Sequence, residues 1–183
     1  HVMEYYAYYG HNDFVLCHGY KGDVIKDYFL NSRDHRITNS GIDDWRITFV
    51  DTGMHATIGE RLLAVRNLVE DEEMFLANYS DGLTDLQLPE HLDHFRRQKA
   101  VASFVSVKPN LSYHLVSVAD GGRVTSIEEI QKAPIRINGG FFVFTPEIFD
   151  HMGDGEELVC EPFQRLVMAQ RLAAYEHHGF WMS

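Results

Sequence analysis

The sequence predicts an α/β fold: a mostly parallel sheet with helices on both faces, plus a small antiparallel element in the C-terminal half. Three observations carry this expectation. Short apolar segments alternate with helix-period segments from residue 1 to 107, the pattern of successive βαβ units. A pair of strand-like runs around an "ADGG" turn follows. Hydrophobic residues make up 45% of the 183 residues, enough for a sizeable core. The length suits a single domain over 1–183, with 108–136 as a hairpin-containing insertion.

Taken in order, "HVMEYYAYYG" places Val2, Tyr5, Tyr6 and Tyr9 at helical spacing and stops at Gly10. "DFVLC" is a short strand. "GYKGDVIKDYFL" leads into an amphipathic helix with Val24, Tyr28 and Phe29 inward. "WRITFVDTG" alternates and is β-branched, a strand ending in a glycine turn. "ATIGERLLAVRNLV" sets Ile58, Leu62, Val65 and Val69 on one helical stripe. "EMFLANYSDG" is a strand that ends in acid. "LPEHLDHFRRQ" is a helix with Pro89 in its first turn, and "AVASFVSV" is the next strand. "SYHLVSVADGGRVTSIEEI" forms the hairpin, and "PIRINGGFFVF" is a strand interrupted by Gly-Gly. "TPEIFDHM" is a short helix with Thr145 as cap and Pro146 at its first position. "EPFQRLVMAQ" is a further helix, and "RLAAYEHHGFW" ends the chain in a strand.

The formal net charge of −11 argues against a nucleic-acid or anionic-membrane binder, which needs a basic face. It leaves room for a small anionic ligand held by local lysines, backbone N–H groups and a divalent cation. No apolar stretch is long enough to span a membrane, and a soluble cytoplasmic protein is expected. Cys17 and Cys160 are far apart and form no CxxC. The 11 histidines include no pair at zinc-ligand spacing, and the neighbours His177 and His178 point to opposite faces of a strand.

In open α/β sheets, ligands sit outside the carboxyl ends of the strands. "VDTG", "NYSDG" and "INGG" fall there. For Asp81 two readings stand on local sequence, a common Asp-Gly turn or a metal-binding carboxylate. Thr52 and Gly53 read as a strand-ending turn or as groups that approach a ligand closely. Gly139 and Gly140 inside a strand read as a bulge or as backbone lying against a ligand. Asp85 reads as a cap or turn residue leading into the next helix.

"HGYKGDVIKDYF", "VDTG…GERL", "FLANYSDGLTDL", "INGGFFVF" and "YEHHGFW" occur in an order that resembles the sugar-1-phosphate nucleotidyltransferases, most of all their glucose-1-phosphate cytidylyltransferase branch. The resemblance runs over the whole chain and is weakest at 31–44 and 108–136, and it lets 108–136 be either a hairpin-containing insertion or a sugar-binding part. It implies a Rossmann-like sheet and transfer of a nucleotidyl group from an NTP, CTP favoured, to a sugar-1-phosphate, with Mg2+ as cofactor. It assigns Asp81 the metal and catalytic role, and Thr52, Gly53, Arg61 and Gly82 to the nucleotide. It assigns Asn138, Gly139, Gly140 and Tyr79 to the sugar phosphate, with Lys132 as the nearest stand-in for the family's sugar-phosphate lysine. Periodicity alone makes Arg61 a solvated helix residue; the alternative readings are an exposed loop lysine for Lys132 and a core residue for Tyr79. Phe180 and Trp181 match a structural strand end.

Ser80 replaces a family glycine, and the spacing from Lys132 to Asn138 is short. The glycine-rich GGxGTRL loop and the aspartate of Met-Asp-Thr are not among these residues, so the reading expects a domain incomplete at both ends. These departures keep open an alternative, a non-catalytic nucleotide-sugar-binding homologue or assembly subunit. A metal-dependent glycosyltransferase ranks lower, since Asp81 and Asp85 do not form a DxD pair. The many aromatic residues allow a homo-oligomer.

Overall fold

The structure, a computed structural model, describes residues 1–31 and 45–183; the weakly matching stretch 32–44 lies outside them. The predicted alternation is present: α1 (Val2–Tyr8), β1 (Asp13–His18), α2 (Gly22–Asn31), β2 (Arg46–Asp51), α3 (Ile58–Ala64), β3 (Phe75–Ala77), then a two-residue β4 (Leu83–Thr84), α4 (Leu88–Gln98) and β5 (Ala102–Val107). The hairpin is β6 (His114–Val118) and β7 (Val124–Glu129), joined through Asp120–Gly122. Gly121 and Gly122 sit at φ +79° and +82° there, a conformation that favours glycine. The rest comprises β8 (Ile137–Asn138), β9 (Phe142–Phe144), a 3-10 helix (Pro146–His151), α5 (Glu161–Met168), β10 (Leu172–Glu176) and β11 (Trp181–Met182).

The central sheet has the order β10-β5-β9-β3, with β8 also paired to β5. Strand β10 is parallel to β5, whereas β9 is antiparallel to both β5 and β3. Thus β3, β5 and β10 run one way and β9 is reversed between two of them. Strands β1 and β2 form a parallel pair of their own, and β4 pairs with β11. Phe142, Val143 and Phe144 are all buried, which explains the continuous apolar run "FFVF" in place of an alternating one. The main core gathers Phe142 and Phe144 with Leu62 of α3, with Val65 just past its end, and with Phe163 and Leu166 of α5. Ile58 and Val69 pack against it as expected, but the single helix expected over this stretch ends at Ala64, and Val69 follows a separate 3-10 turn (Arg66–Leu68). Tyr6 anchors α1 in a second cluster with Leu86, Val105 and Phe141.

Two local expectations are corrected. Val24 and Tyr28 of α2 were expected inward but are 62% and 57% exposed. Phe29 is the half-buried residue, against the Phe49 ring at 6.1 Å. Among the described residues the β1–β2 sheet has two strands, and of these three side chains Phe29 is the one that packs on it. Thr145 makes no capping bond; Ile148 N–H reaches its carbonyl at 3.1 Å instead, giving a 3-10 turn. Among the described residues no helix is long and apolar enough to cross a membrane.

One buried histidine ties stability to pH. His91 of α4 is fully buried, with Nε2 3.0 Å from Ser103 Oγ on β5. Burial, then the neighbouring His94, pushes its pKa down to about 4. The unfolded chain binds this proton near pH 6.5, the ordinary value, and the folded one does not. Stability is therefore present above about pH 6.5. It falls as pH drops toward about 4, where the folded state also protonates. The loss is on the order of 3 kcal/mol. His91→Gln should show a shallower decline than the unmodified chain between those pH values, measured by urea unfolding; equal slopes would contradict this assignment.

Candidate active site

The acidic turn after β3 is held by Asn78. Its Oδ1 accepts from Phe141 N–H at 2.9 Å and from the Tyr6 hydroxyl at 3.4 Å, and its Nδ2 donates to the Tyr79 carbonyl at 2.6 Å. The turn is thereby fixed against the Gly-Gly segment. That segment is a bulge between β8 and β9, which both pair with β5. From the Ser103–Val143 pair to the Ser106–Asn138 pair, β5 advances three residues and the facing chain five. Gly140 has φ +73°, and a Cβ there would lie 3.0 Å from the Tyr79 ring. At Gly139 a Cβ would lie 3.0 Å from Trp181 Nε1 and 3.1 Å from the Val105 carbonyl. Both positions need glycine for close approach.

Polar groups converge on this bulge. Asn138 Oδ1 accepts from Gly140 N–H at 2.9 Å, and its Nδ2 donates to the Tyr79 hydroxyl at 3.3 Å. Trp181 Nε1 donates to the Gly139 carbonyl at 2.8 Å. Together they border a cleft of about 400 Å³ lined by Tyr79, Ser80, Asp81, Gly82, Asn138, Gly139 and Trp181, among others. Burial, opposed by the Asn138 hydrogen bond and aided by the Glu157 and Asp81 charges, raises the Tyr79 pKa. The phenol keeps its proton. Gly82 is buried because the Phe141 ring occupies the space of a side chain, 3.1 Å from where a Cβ would sit. Asn78→Ala should leave the Phe141 N–H unpaired and lower stability by about 1–3 kcal/mol, read from a thermal or urea midpoint.

A second group lies at the carboxyl ends of β1 and β2. Thr52 donates twice to the His18 carbonyl, from N at 2.8 Å and from Oγ1 at 3.1 Å. Arg61 Nη1 reaches Thr52 Oγ1 at 2.5 Å, so Arg61 is a part-buried hydrogen-bonding residue and not a solvated one. It comes from α3, whose first turn is fixed by the Thr57/Glu60 capping box. Gly53 turns away at φ +90°, and its carbonyl lies so near Gly19 that a Cβ at Gly19 would be 2.4 Å from it.

The structure thus gathers Tyr79, Asp81, Gly82, Asn138 and Gly139 at one cleft, with Gly140 buried against the Tyr79 ring beside it, and Thr52, Gly53 and Arg61 at another point of the strand-end edge. Lys132 belongs to neither; it is exposed and paired with Glu129 at 2.9 Å. Asp85 does not cap α4, whose N-cap is Gln87. It pairs with His177, Nε2 to Oδ1 at 2.9 Å. Sequence reasoning gave Asn78 and Trp181 no site role. The signal for Asn78 was a polar residue at the last place of an apolar strand; for Trp181 it was an indole N–H that needs an acceptor when buried.

Among the described residues no three His, Cys, Asp or Glu side chains form a metal-holding group. Asp81, an exposed carboxylate at the cleft, is nevertheless a fitting donor for magnesium, which is commonly held by one or two carboxylates plus substrate phosphates and water.

Solved structures share this architecture. HddC from Yersinia pseudotuberculosis superposes with TM-score 0.69 and 16% identity, covering 99% of this chain and 76% of that one. A UDP-glucose pyrophosphorylase complexed with UDP-glucose superposes with TM-score 0.67 and 16% identity, covering 98% and 78%. The fold is that of the sugar-nucleotide-forming transferases. The sequence places the chain more closely. No protein-family model matches it. However, it is 34% identical over 196 aligned residues to a glucose-1-phosphate cytidylyltransferase of Salmonella typhi, covering 99% of this chain and 76% of the relative. The chain belongs to the glucose-1-phosphate cytidylyltransferase family of sugar-1-phosphate nucleotidyltransferases.

Proposed function

We propose that the protein transfers a cytidylyl group from CTP to a sugar-1-phosphate, with glucose-1-phosphate as the first candidate. The observation that carries this reading is the Asp81 cleft, built between the β3 turn and the β8–β9 bulge in a chain of this family. An oxygen of the sugar phosphate attacks the α-phosphorus in line. The bond to the β-phosphate oxygen breaks, and its electron pair leaves with pyrophosphate. Such chemistry asks of the protein mainly positioning and charge compensation.

Asp81 is the residue that would hold magnesium, which when bound supplies neutralisation of the phosphate oxygens. Asn138, Tyr79 and the glycines Gly139 and Gly140 offer amide, hydroxyl and open backbone to a sugar. Thr52, Gly53 and Arg61 offer a hydroxyl, a turned backbone and a guanidinium to the nucleotide. Gly82 keeps the Asp81 turn close to Phe141, and the nucleotide phosphates pass beside it. Lys132 would have to leave Glu129 to meet the sugar phosphate. The chain works as one domain, with 108–136 as an insertion carrying the β6–β7 hairpin, in the cytoplasm where its substrates occur.

The test is pyrophosphate release by the purified protein with magnesium, each NTP and a set of sugar-1-phosphates. CTP with glucose-1-phosphate should be the fastest pair. No release with any pair would remove the enzymatic reading, and nucleotide-sugar binding without turnover would favour a binding homologue.

A further inference from the structure

Among the described residues Arg136 makes no hydrogen bond or ion pair with the cleft residues named above; its partners are Ser106, Glu176 and His177. It sits just before β8 with its side chain 20% exposed. Its Nε donates to Ser106 Oγ at 2.7 Å, and its Nη2 donates to the carbonyls of Ser106 at 2.6 Å and His177 at 2.9 Å. Its Nη1 lies 3.7 Å from Glu176. The planar fork therefore joins the end of β5 to the end of β10, a task for which the point charge of lysine is poorly shaped.

His177 extends the connection. Its side chain is 10% exposed, and Nε2 lies 2.9 Å from Asp85 Oδ1, 3.1 Å from the Phe180 carbonyl and 3.3 Å from Thr84 Oγ1. Thr84 Oγ1 and Asp85 N–H also donate to the Phe180 carbonyl, at 2.9 and 3.2 Å. A Cβ at Gly179 would lie 2.3 Å from Asp85 Oδ1, so any larger residue there would have to displace the Asp85 carboxylate. Trp181, two residues beyond Gly179, pairs with Thr84 and gives its indole N–H to the Gly139 carbonyl. The β4–β11 ladder has two residues on each side, too few to hold its own register.

We infer that Arg136, acting through His177 and Asp85, is a positioning residue that holds Trp181 beside Asn138 and Gly139 and so sets the affinity for the sugar phosphate. The inference rests on the proposed transferase reading. It predicts a selective effect, because Thr52, Gly53 and Arg61 share none of these contacts.

The test compares Arg136→Met, Arg136→Lys and Asp85→Ala with the unmodified protein. Arg136→Met should raise KM for the sugar phosphate roughly tenfold while KM for the NTP moves less than about twofold. Arg136→Lys should recover only part of that loss. Asp85 is an exposed residue whose removal opens the same latch from its other side, so Asp85→Ala decides the matter should Arg136→Met fail to fold. In a Trp45→Phe background, acrylamide quenching of Trp181 should rise in both variants. Turnover by the unmodified protein with unchanged sugar-phosphate KM in the variants would overturn the inference, as would equal shifts for both substrates. Absence of turnover in the unmodified protein would instead defeat the transferase reading. The quenching measurement then decides alone, and unchanged quenching overturns the positioning role.

Discussion

Replacing Asp81 by Asn is expected to lower turnover of CTP and glucose-1-phosphate about a thousandfold without unfolding the protein. The side chain is exposed and, among the described residues, makes no hydrogen bond or ion pair. Surface changes of this kind usually alter stability by no more than about 0.5 kcal/mol. The amide keeps the size of the carboxylate and removes its charge. A loss of rate therefore reports the charge and its hold on magnesium. Steady-state kinetics across a magnesium titration, beside thermal unfolding, separate the two effects. Turnover within about threefold of the unmodified protein would put the charge centre elsewhere.

Phe142→Ala is expected to cost about 3–5 kcal/mol, the range for deleting a buried aromatic ring. The ring is 2% exposed, stacks on Phe144 at 5.6 Å and meets Phe163 at 6.1 Å. Against a total stability of about 5–15 kcal/mol, this is a large fraction. The same ring stands edge-on to Tyr79 at 5.2 Å. Its loss should therefore reach the cleft, and the variant that stays folded at low temperature should bind sugar phosphate more weakly. A urea midpoint close to that of the unmodified protein would mean that the β9 core is less essential than its burial indicates.

How much of this was legible follows from the range of the interactions. The βαβ alternation was written in local periodicity, and so was the hairpin, with its two consecutive glycines. The Gly-Gly bulge was one of the two readings that two glycines inside "INGGFFVF" allowed. Asp81 stood out once its turn was placed at the strand-end edge. What escaped depends on partners far along the chain. Two-residue strands such as β4 and β11 carry no period. Asp85 resembled a helix-entry residue because its partner, His177, comes from beyond β10. Arg136 was one charged residue in "PIRIN", and nothing local pointed to Ser106 or His177. Val24 and Tyr28 failed for the opposite reason: the period was real, but among the described residues the neighbouring sheet has two strands and both side chains stay exposed.

The most direct measurement is 31P NMR of the purified protein with magnesium, CTP and glucose-1-phosphate. The account predicts that both substrates decline together, while pyrophosphate and the coupled diphosphate signals of CDP-glucose rise in equal amounts, and that Asp81→Asn abolishes the change. Unchanged spectra, or CTP broken down to inorganic phosphate with glucose-1-phosphate intact, would contradict it.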